Sequence, residues 1–131
     1  MSNPVRRFFA CLAENNVSAA LALVSDDAVF EAQGPDSIPI YGRFEGEDGV
    51  RRFLAILAEM FETQAFEIRQ WSATDDFVFA YGYMQRRVRS TGRIFECEWA
   101  LVCRVAEGRI KSYKMFEDTA ALHAACAAAA T

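Results

Sequence analysis

The chain contains a single histidine, and none of its four cysteines forms a C-x-x-C pair. Zinc sites draw their ligands from closely spaced cysteines and histidines, and disulfide frameworks are typical of small secreted domains dense in cysteine. The cysteines here are widely spaced: Cys11, Cys97, Cys103 and Cys126. We therefore expect buried free thiols, with no metal site and no disulfide framework.

The sequence also lacks a long apolar run and an excess of positive charge. No segment reaches the ~18 consecutive apolar residues of a membrane span, and residues 1–7 lead into the chain without a signal-peptide apolar run. The formal net charge is -4, whereas nonspecific binding to nucleic acid or to anionic membranes requires a positive field. We expect a cytoplasmic protein that binds neither.

Basic residues nevertheless gather in one segment, which contains Arg86, Arg87, Arg89 and Arg93. A polyanion site is one interpretation of such a cluster. The other, which we favour, is a solvated strand end whose charges discourage pairing at the edge of a sheet.

Apolar and aromatic residues are abundant. Among 131 residues the hydrophobic fraction is 53%, with 11 Phe, 4 Tyr and 2 Trp. A chain of this length suits one domain, and these side chains can fill a core and still line a cavity. We therefore expect a single domain over residues 1–131.

A glycine-punctuated segment at residues 40–53 changes into a clean helical apolar period. Its glycines permit tight turns, and Glu47 and Asp48 suit the positive N-terminal end of a helix. The apolar spacing predicts a helix over residues 47–62. Together these features are typical of the lip and wall of a small-molecule pocket.

The remaining elements follow from periodicity and turn signals. Apolar spacing predicts a helix over 4–14 and a shorter one from Val17 that includes Val24, followed by a strand over 28–33. Asp118 or Thr119 can cap a last helix over 120–130. Between the third and last helices, apolar residues recur at every second position, which predicts four antiparallel strands. They cover residues 64–72, 77–89, 93–105 and 109–117.

This order of elements predicts an α+β domain in which three helices cover the concave face of a bent sheet and enclose a pocket. The opposite face of the sheet would be exposed and rich in apolar residues. Pairing with a second copy is the simplest way to cover such a face, so we expect a homodimer.

Four short motifs occur along the chain: Asp26-Asp27-Ala28, Gly42-Arg43-Phe44-Glu45-Gly46, Gly108-Arg109-Ile110 and Phe116-Glu117-Asp118-Thr119-Ala120. With the element order, they resemble the SnoaL-like branch of the nuclear transport factor 2-like superfamily. The resemblance implies a cystatin-like cone with a strongly bent mixed or antiparallel sheet. Members of the superfamily include isomerases, polyketide cyclases, hydrolases, dehydratases and noncatalytic binding proteins, so the resemblance does not identify a function.

Ketosteroid isomerases of that superfamily use a first-helix tyrosine and a sheet aspartic acid as oxyanion donors, with a first-strand aspartate as base. By the resemblance, the tyrosine position falls on Phe8 and the base position on Ala32. The second acid falls on Leu101, or on Ala100 if the turn differs by one residue. We therefore do not expect steroid isomerisation by that mechanism.

Two carboxylates are candidate catalytic residues. The resemblance places Glu117 on the cavity face of the last strand with Tyr113 and Met115, where a carboxyl among aromatic side chains would have a raised pKa and could exchange protons near neutrality. Glu117 could instead only favour the N-terminal dipole of the last helix. Glu31 precedes the lost base position, and it reaches the pocket only if a bulge shifts the strand register, because side chains alternate faces.

Aromatic residues at strand spacing are candidate ligand-binding residues. Tyr81 and Tyr83 continue one stripe, Trp99 and Leu101 belong to another on the neighbouring strand, and one of the two stripes should line the cavity. The alternative is that these stripes form core or dimer surface, which aromatic residues at strand spacing do more often. The full set of predicted ligand-binding residues is Tyr41, Phe53, Tyr81, Tyr83, Trp99, Leu101, Tyr113 and Met115.

Three functions remain open. The first is an enzyme that needs no cofactor and acts on a small hydrophobic carbonyl compound, with Glu117 as proton shuttle and a tyrosine as hydrogen-bond donor. The second is a noncatalytic module that binds an apolar small molecule in the same cavity. The third is a dimeric scaffold whose cone is filled by its own side chains.

Overall fold

The computed structural model describes residues 3–127, which contain four helices and six strands. The elements in chain order are α1 (Pro4–Ala13), α2 (Val17–Leu21), β1 (Val24–Ala32), β2 (Gly42–Glu45), α3 (Gly46–Met60), β3 (Phe61–Ala73), β4 (Phe77–Val88), β5 (Ile94–Ala106), β6 (Arg109–Glu117) and α4 (Thr119–Cys126).

The six strands form one mixed sheet in the order β2-β1-β6-β5-β4-β3. β3 to β6 are an antiparallel meander, and β1 pairs parallel to β6. The register of β3 on β4 shifts after Thr63 and again after Ile68, and bulges of this kind bend a strand. The sheet is curved and open, which confirms the predicted α+β fold with its bent sheet.

Helix α1 follows the predicted segment closely. The Asn3 side chain accepts a hydrogen bond from the Arg6 amide at 2.9 Å, and Pro4 occupies the first turn, where its missing amide hydrogen costs nothing. The apolar face carries Phe8, whose ring packs edge-on against Phe30 of β1, with 5.7 Å between the ring centroids. α1 therefore covers the inner face of the sheet.

Several boundaries differ from the sequence prediction. The second helix ends at Leu21, and Val24 already belongs to β1, because the Leu23 carbonyl accepts a hydrogen bond from the amide of Ile110 in β6. The predicted third helix is two residues too long, since Phe61 adopts extended dihedral angles and opens β3. Part of the glycine-rich lip is a strand, β2, that pairs with β1.

Helix α4 is a fourth helix beyond the three of the predicted cone, and Asp118 caps it by accepting a hydrogen bond from the Ala121 amide at 3.0 Å. The predicted helix over 120–130 includes residues 128–130, which lie outside the described residues. Within residues 3–127, no helix has both the length and the apolar character that crossing a membrane requires.

Candidate functional site

A cavity of about 440 Å³ lies between α1, α3 and the inner face of the sheet. Its wall is mainly aliphatic and aromatic. The lining residues are Phe8, Phe9, Leu12, Ala13, Asn15, Val17, Phe53, Leu54, Leu57, Ala58, Phe61, Thr63, Phe66, Arg86 and Tyr113. This volume falls in the range of small-molecule sites in proteins.

A second, much smaller space of about 20 Å³ adjoins this cavity and shares five of its lining residues. They are Phe53, Leu57, Phe61, Arg86 and Tyr113. The smaller space adds Glu117 and Met115 of β6 and Ala32 of β1 to the wall. About 10–15 Å³ is enough for one water molecule, so this space has room for one water or one polar group of a ligand beside Glu117.

Glu117 ends β6 on the inward face, opposite Trp99 of β5. The Tyr41 hydroxyl donates a hydrogen bond to its Oε2 at 3.4 Å. Burial raises the pKa of Glu117, and the positive charge of Arg86 and the bond from Tyr41 only partly oppose that rise. A carboxyl with a raised pKa in an apolar cavity can exchange a proton closer to neutrality than an exposed glutamate can.

Tyr41 reaches Glu117 from the segment between β1 and β2, where its ring lies against the backbone of Gly34. A Cβ added at Gly34 would come within 2.4 Å of that ring, so a side chain there would displace Tyr41. Burial is the main cause of a strongly raised pKa for the phenol of Tyr41, and burial likewise raises the pKa of Tyr113. Both tyrosines are therefore neutral hydrogen-bond donors.

Arg86 is a cavity-lining residue that the sequence analysis missed. It was assigned to a solvated strand end, whereas the structure places it in the walls of both spaces. In β4 the residues that point inward have even numbers, and Arg86 stands between the buried Met84 and Val88. That alternation was readable in the sequence, but the neighbouring arginines favoured the surface interpretation.

The Arg86 guanidinium lies over the rings of Phe61 and Phe66, at 5.4 and 5.9 Å from their centroids. Its Nε is fully buried and has no hydrogen-bond partner among the described residues. Burial lowers the pKa of Arg86, and Glu117 acts in the opposite direction. An arginine side chain nevertheless keeps its charge in proteins, so the cavity wall contains a partly buried cation.

The structure brings five of the predicted site residues together. Glu117, Phe53, Tyr113 and Met115 line the interior, and Tyr41 reaches it through its bond to Glu117. Trp99 and Leu101 also point inward but are 2% and 1% exposed and belong to the packed core behind the cavity wall. Phe66 stacks on Trp99 at 4.9 Å and separates it from the open space.

Tyr81 and Tyr83 lie on the opposite face of the sheet, because the odd-numbered residues of β4 point outward. Tyr81 is 40% exposed, and the two hydroxyls donate to Glu98 and Glu96. Glu31 also points away from the interior, with its carboxylate 3.7 Å from the guanidinium of Arg43. The inward stripe is therefore the one that contains Trp99, and only Glu117 of the two predicted carboxylates faces the cavity.

The positions compared with ketosteroid isomerase all carry hydrocarbon side chains. Phe8 lines the larger cavity, Ala32 lines the smaller space, and Leu101 is buried while Ala100 is exposed. No group at these positions can transfer a proton. Across residues 3–127, no three histidine, cysteine, aspartate or glutamate residues come close enough to hold a metal ion together.

Comparisons with known proteins agree with this architecture. A family model described as the SnoaL-like domain matches residues 5–113. An NTF2-like protein from Burkholderia xenovorans LB400 is 28% identical, with a TM-score of 0.86 over 93% of this chain and 92% of that one. An NTF2-like protein from Burkholderia thailandensis E264 is 26% identical, with a TM-score of 0.83 over 95% and 98%.

A structure from Rhodopseudomonas palustris, provisionally named an isomerase, has a TM-score of 0.83 over 94% of this chain and 95% of that one. Its identity of 18% shows a common fold only. No match was found among the curated proteins.

Proposed function

We propose that this chain, which belongs to the SnoaL-like domain family, binds a small, largely hydrophobic molecule in its interior cavity and transfers a proton on it through Glu117. The observation that carries the proposal is the position of Glu117, a partly buried carboxyl that lines a mainly apolar interior and has a raised pKa. A general acid or base needs both access to the substrate and a pKa near the working pH.

The proposed chemistry is acid–base catalysis without a cofactor, of the isomerase, cyclase or hydrolase type. In the ionised form Glu117 removes a proton from the substrate, and in the neutral form it returns one. Tyr41 orients the carboxyl through its hydrogen bond, and the neutral phenol of Tyr113, which lines both spaces, is the proposed donor to a substrate carbonyl.

The alternative is a noncatalytic module that binds a hydrophobic molecule in the same cavity. The mainly hydrocarbon wall supports this alternative as well as the enzyme, because it needs only the cavity and no proton transfer. Turnover by the purified protein separates the two.

The experiment starts from whatever small molecule copurifies with the protein, identified by native mass spectrometry and then offered, with related carbonyl compounds, as a substrate. Glu117→Gln should bind the compound and lose at least about 100-fold in kcat, the usual contribution of a general acid or base. Glu59→Gln, which changes an exposed carboxylate on α3, is the matched control and should keep full turnover.

Glu31→Gln decides between the two carboxylates that the sequence predicted, and it should also keep turnover because Glu31 points away from the cavity. Unchanged turnover in Glu117→Gln would remove the proposed acid–base residue. Binding without turnover in the unmodified protein would leave the noncatalytic module.

A further inference from the structure

The proposed proton transfer does not use Arg86, although this residue lines both the larger cavity and the smaller space. Its Nε is buried without a partner, and within residues 3–127 no carboxylate oxygen lies within 4.0 Å of its guanidinium nitrogens. A buried cation is expensive to remove from water unless a counter-charge and hydrogen-bond acceptors replace the solvent. Among the described residues, none supplies a counter-charge in direct contact with Arg86.

The aromatic neighbours of Arg86 contact its guanidinium but do not accept its hydrogen bonds. Phe61 and Phe66 present their ring faces to it, and such contacts attract the positive charge but accept no conventional N–H hydrogen bond. The five guanidinium donors form a planar fork that matches the two oxygens of a carboxylate. Arg86 is therefore the one cation among the residues that line this mainly apolar cavity, and no described carboxylate pairs with it.

Glu117 lines the smaller space with Arg86 but does not make an ion pair with it. When Glu117 is protonated, the interior carries the net positive charge of Arg86. A ligand with a single negative charge would then neutralise the site, and its apolar part would fill the larger cavity among the side chains of α1 and α3.

We propose that Arg86 is an anion-binding residue and that the ligand is a small hydrophobic carboxylate whose two oxygens pair with the guanidinium. This inference rests on the proposed binding of a hydrophobic molecule in the same cavity and adds the charge of that molecule. Arg86 would thus decide which hydrophobic molecules bind, by preferring acids to neutral compounds of the same shape.

The test uses 2-naphthoate and its neutral isostere 2-naphthamide, titrated separately into the full chain by isothermal titration calorimetry. A desolvated charge-assisted pair should make the acid bind at least about tenfold more tightly than the amide. The preference should persist at raised ionic strength, because a buried pair is screened less than an exposed one.

Three variants locate the preference. Arg86→Met replaces the guanidinium with an apolar side chain of similar length. It should abolish the preference for the acid while retaining binding of the amide. Arg86→Lys keeps the charge without the planar fork and should retain only part of the preference. Arg52→Met, an exposed arginine on α3, is the matched control and should behave like the unmodified protein.

The outcomes separate the two proposals. Equal binding of acid and amide by the unmodified protein would overturn the anion site while leaving hydrophobic ligand binding in place, and this result needs no variant to fold. An acid preference that survives in Arg86→Met would also overturn the role of Arg86. Failure of both probes to bind would overturn the cavity as a ligand site and both proposals with it.

Discussion

The hydroxyl of Tyr41 donates a hydrogen bond to Oε2 of Glu117 across 3.4 Å and so joins two residues that are 76 positions apart in the chain. One comes from the segment that precedes β2, and the other ends β6. The contact gives the partly buried carboxyl a direct protein donor, yet desolvation still dominates and keeps the pKa of Glu117 raised. The proton affinity of this carboxyl therefore depends on how that segment packs.

Replacing Tyr41 with phenylalanine should raise the pKa of Glu117 further. The hydrogen bond from Tyr41 lowers this pKa because it stabilises the ionised carboxylate, and phenylalanine removes the donor while keeping the ring against Gly34. The titration of Glu117 can be followed by carbon-13 NMR of the side-chain carboxyl. A midpoint that stays the same or moves down would show that Tyr41 does not stabilise the anion.

Glu117→Gln should change how stability depends on pH. Because the folded-state pKa is raised above the ordinary value of 4.5, the carboxyl's contribution to stability is fully present below about pH 4.5 and is lost as the pH rises through the folded-state pKa. Glutamine cannot ionise and avoids that loss. Thermal melts should show the variant gaining stability relative to the unmodified protein as pH rises, and Glu59→Gln, at an exposed position on α3, is the matched surface substitution. A difference that is independent of pH would contradict the raised pKa.

Most of the fold was predictable because local patterns and tertiary packing agree. The strict alternation of β4 and β5 and the turn glycines between strands specified the meander, and the apolar face of α1 specified its length. The short β2 was not found, since a four-residue segment in which only Phe44 is half-buried carries no alternating burial pattern. Its pairing with β1 is a tertiary contact, which the local sequence pattern does not predict.

The site was harder to predict because alternation divides a strand into two faces without saying which face is inside. The sequence pattern made Tyr81 and Tyr83 candidates for the cavity wall. The residues of this region that face the interior are instead Gly82 of β4, its partner Trp99 in β5, and Glu117, the partner of Trp99 in β6. A glycine has no side chain that would indicate which face of the strand is buried, whereas two tyrosines indicate a possible ligand-binding surface. The bulky Trp99 occupies the space that the missing side chain leaves.

Gly82→Ala should therefore destabilise the fold strongly. A Cβ at this position would lie 1.9 Å from the carbonyl oxygen of Glu67 and 2.5 Å from the indole of Trp99, so backbone as well as side chain would have to move. We expect a loss of at least ~3 kcal/mol in the free energy of unfolding, measured by urea denaturation.

Gly108→Ala is the matched control for that substitution. Gly108 has a φ of 73° in the turn before β6, and a methyl group at its Cα would meet no atom within 4 Å, so only backbone strain should count. The expected loss is about 1–2 kcal/mol. Equal losses for the two variants would show that the clash at Gly82 is relieved by small shifts.

The outer face of the sheet carries exposed aromatic residues that we expect to pair with a second copy of the chain. Tyr81, Ala100 and Phe116 form one row across β4, β5 and β6, and Tyr81 and Phe116 are 40% and 43% exposed. Phe116→Asp would place a carboxylate in an apolar interface and should convert a dimer into a monomer, as measured by analytical ultracentrifugation. Val17→Asp, on α2, is the control and should stay dimeric. A monomeric unmodified protein would exclude this pairing.

Arg86→Met should stabilise the protein without its ligand by roughly 1–3 kcal/mol, because it replaces a partly buried cation that has no direct ion-pair partner among the described residues with an apolar side chain. The variant gives up two contacts with aromatic faces, each worth up to about 2 kcal/mol when desolvated, and this loss offsets part of the several kcal/mol of desolvation that it removes. Urea denaturation of the unliganded proteins, with Arg52→Met as control, gives the difference. A less stable Arg86→Met variant would mean that the guanidinium is well solvated in the cavity. A cost of this kind in the free protein is expected of a residue retained for binding, since a ligand carboxylate would restore the missing hydrogen bonds.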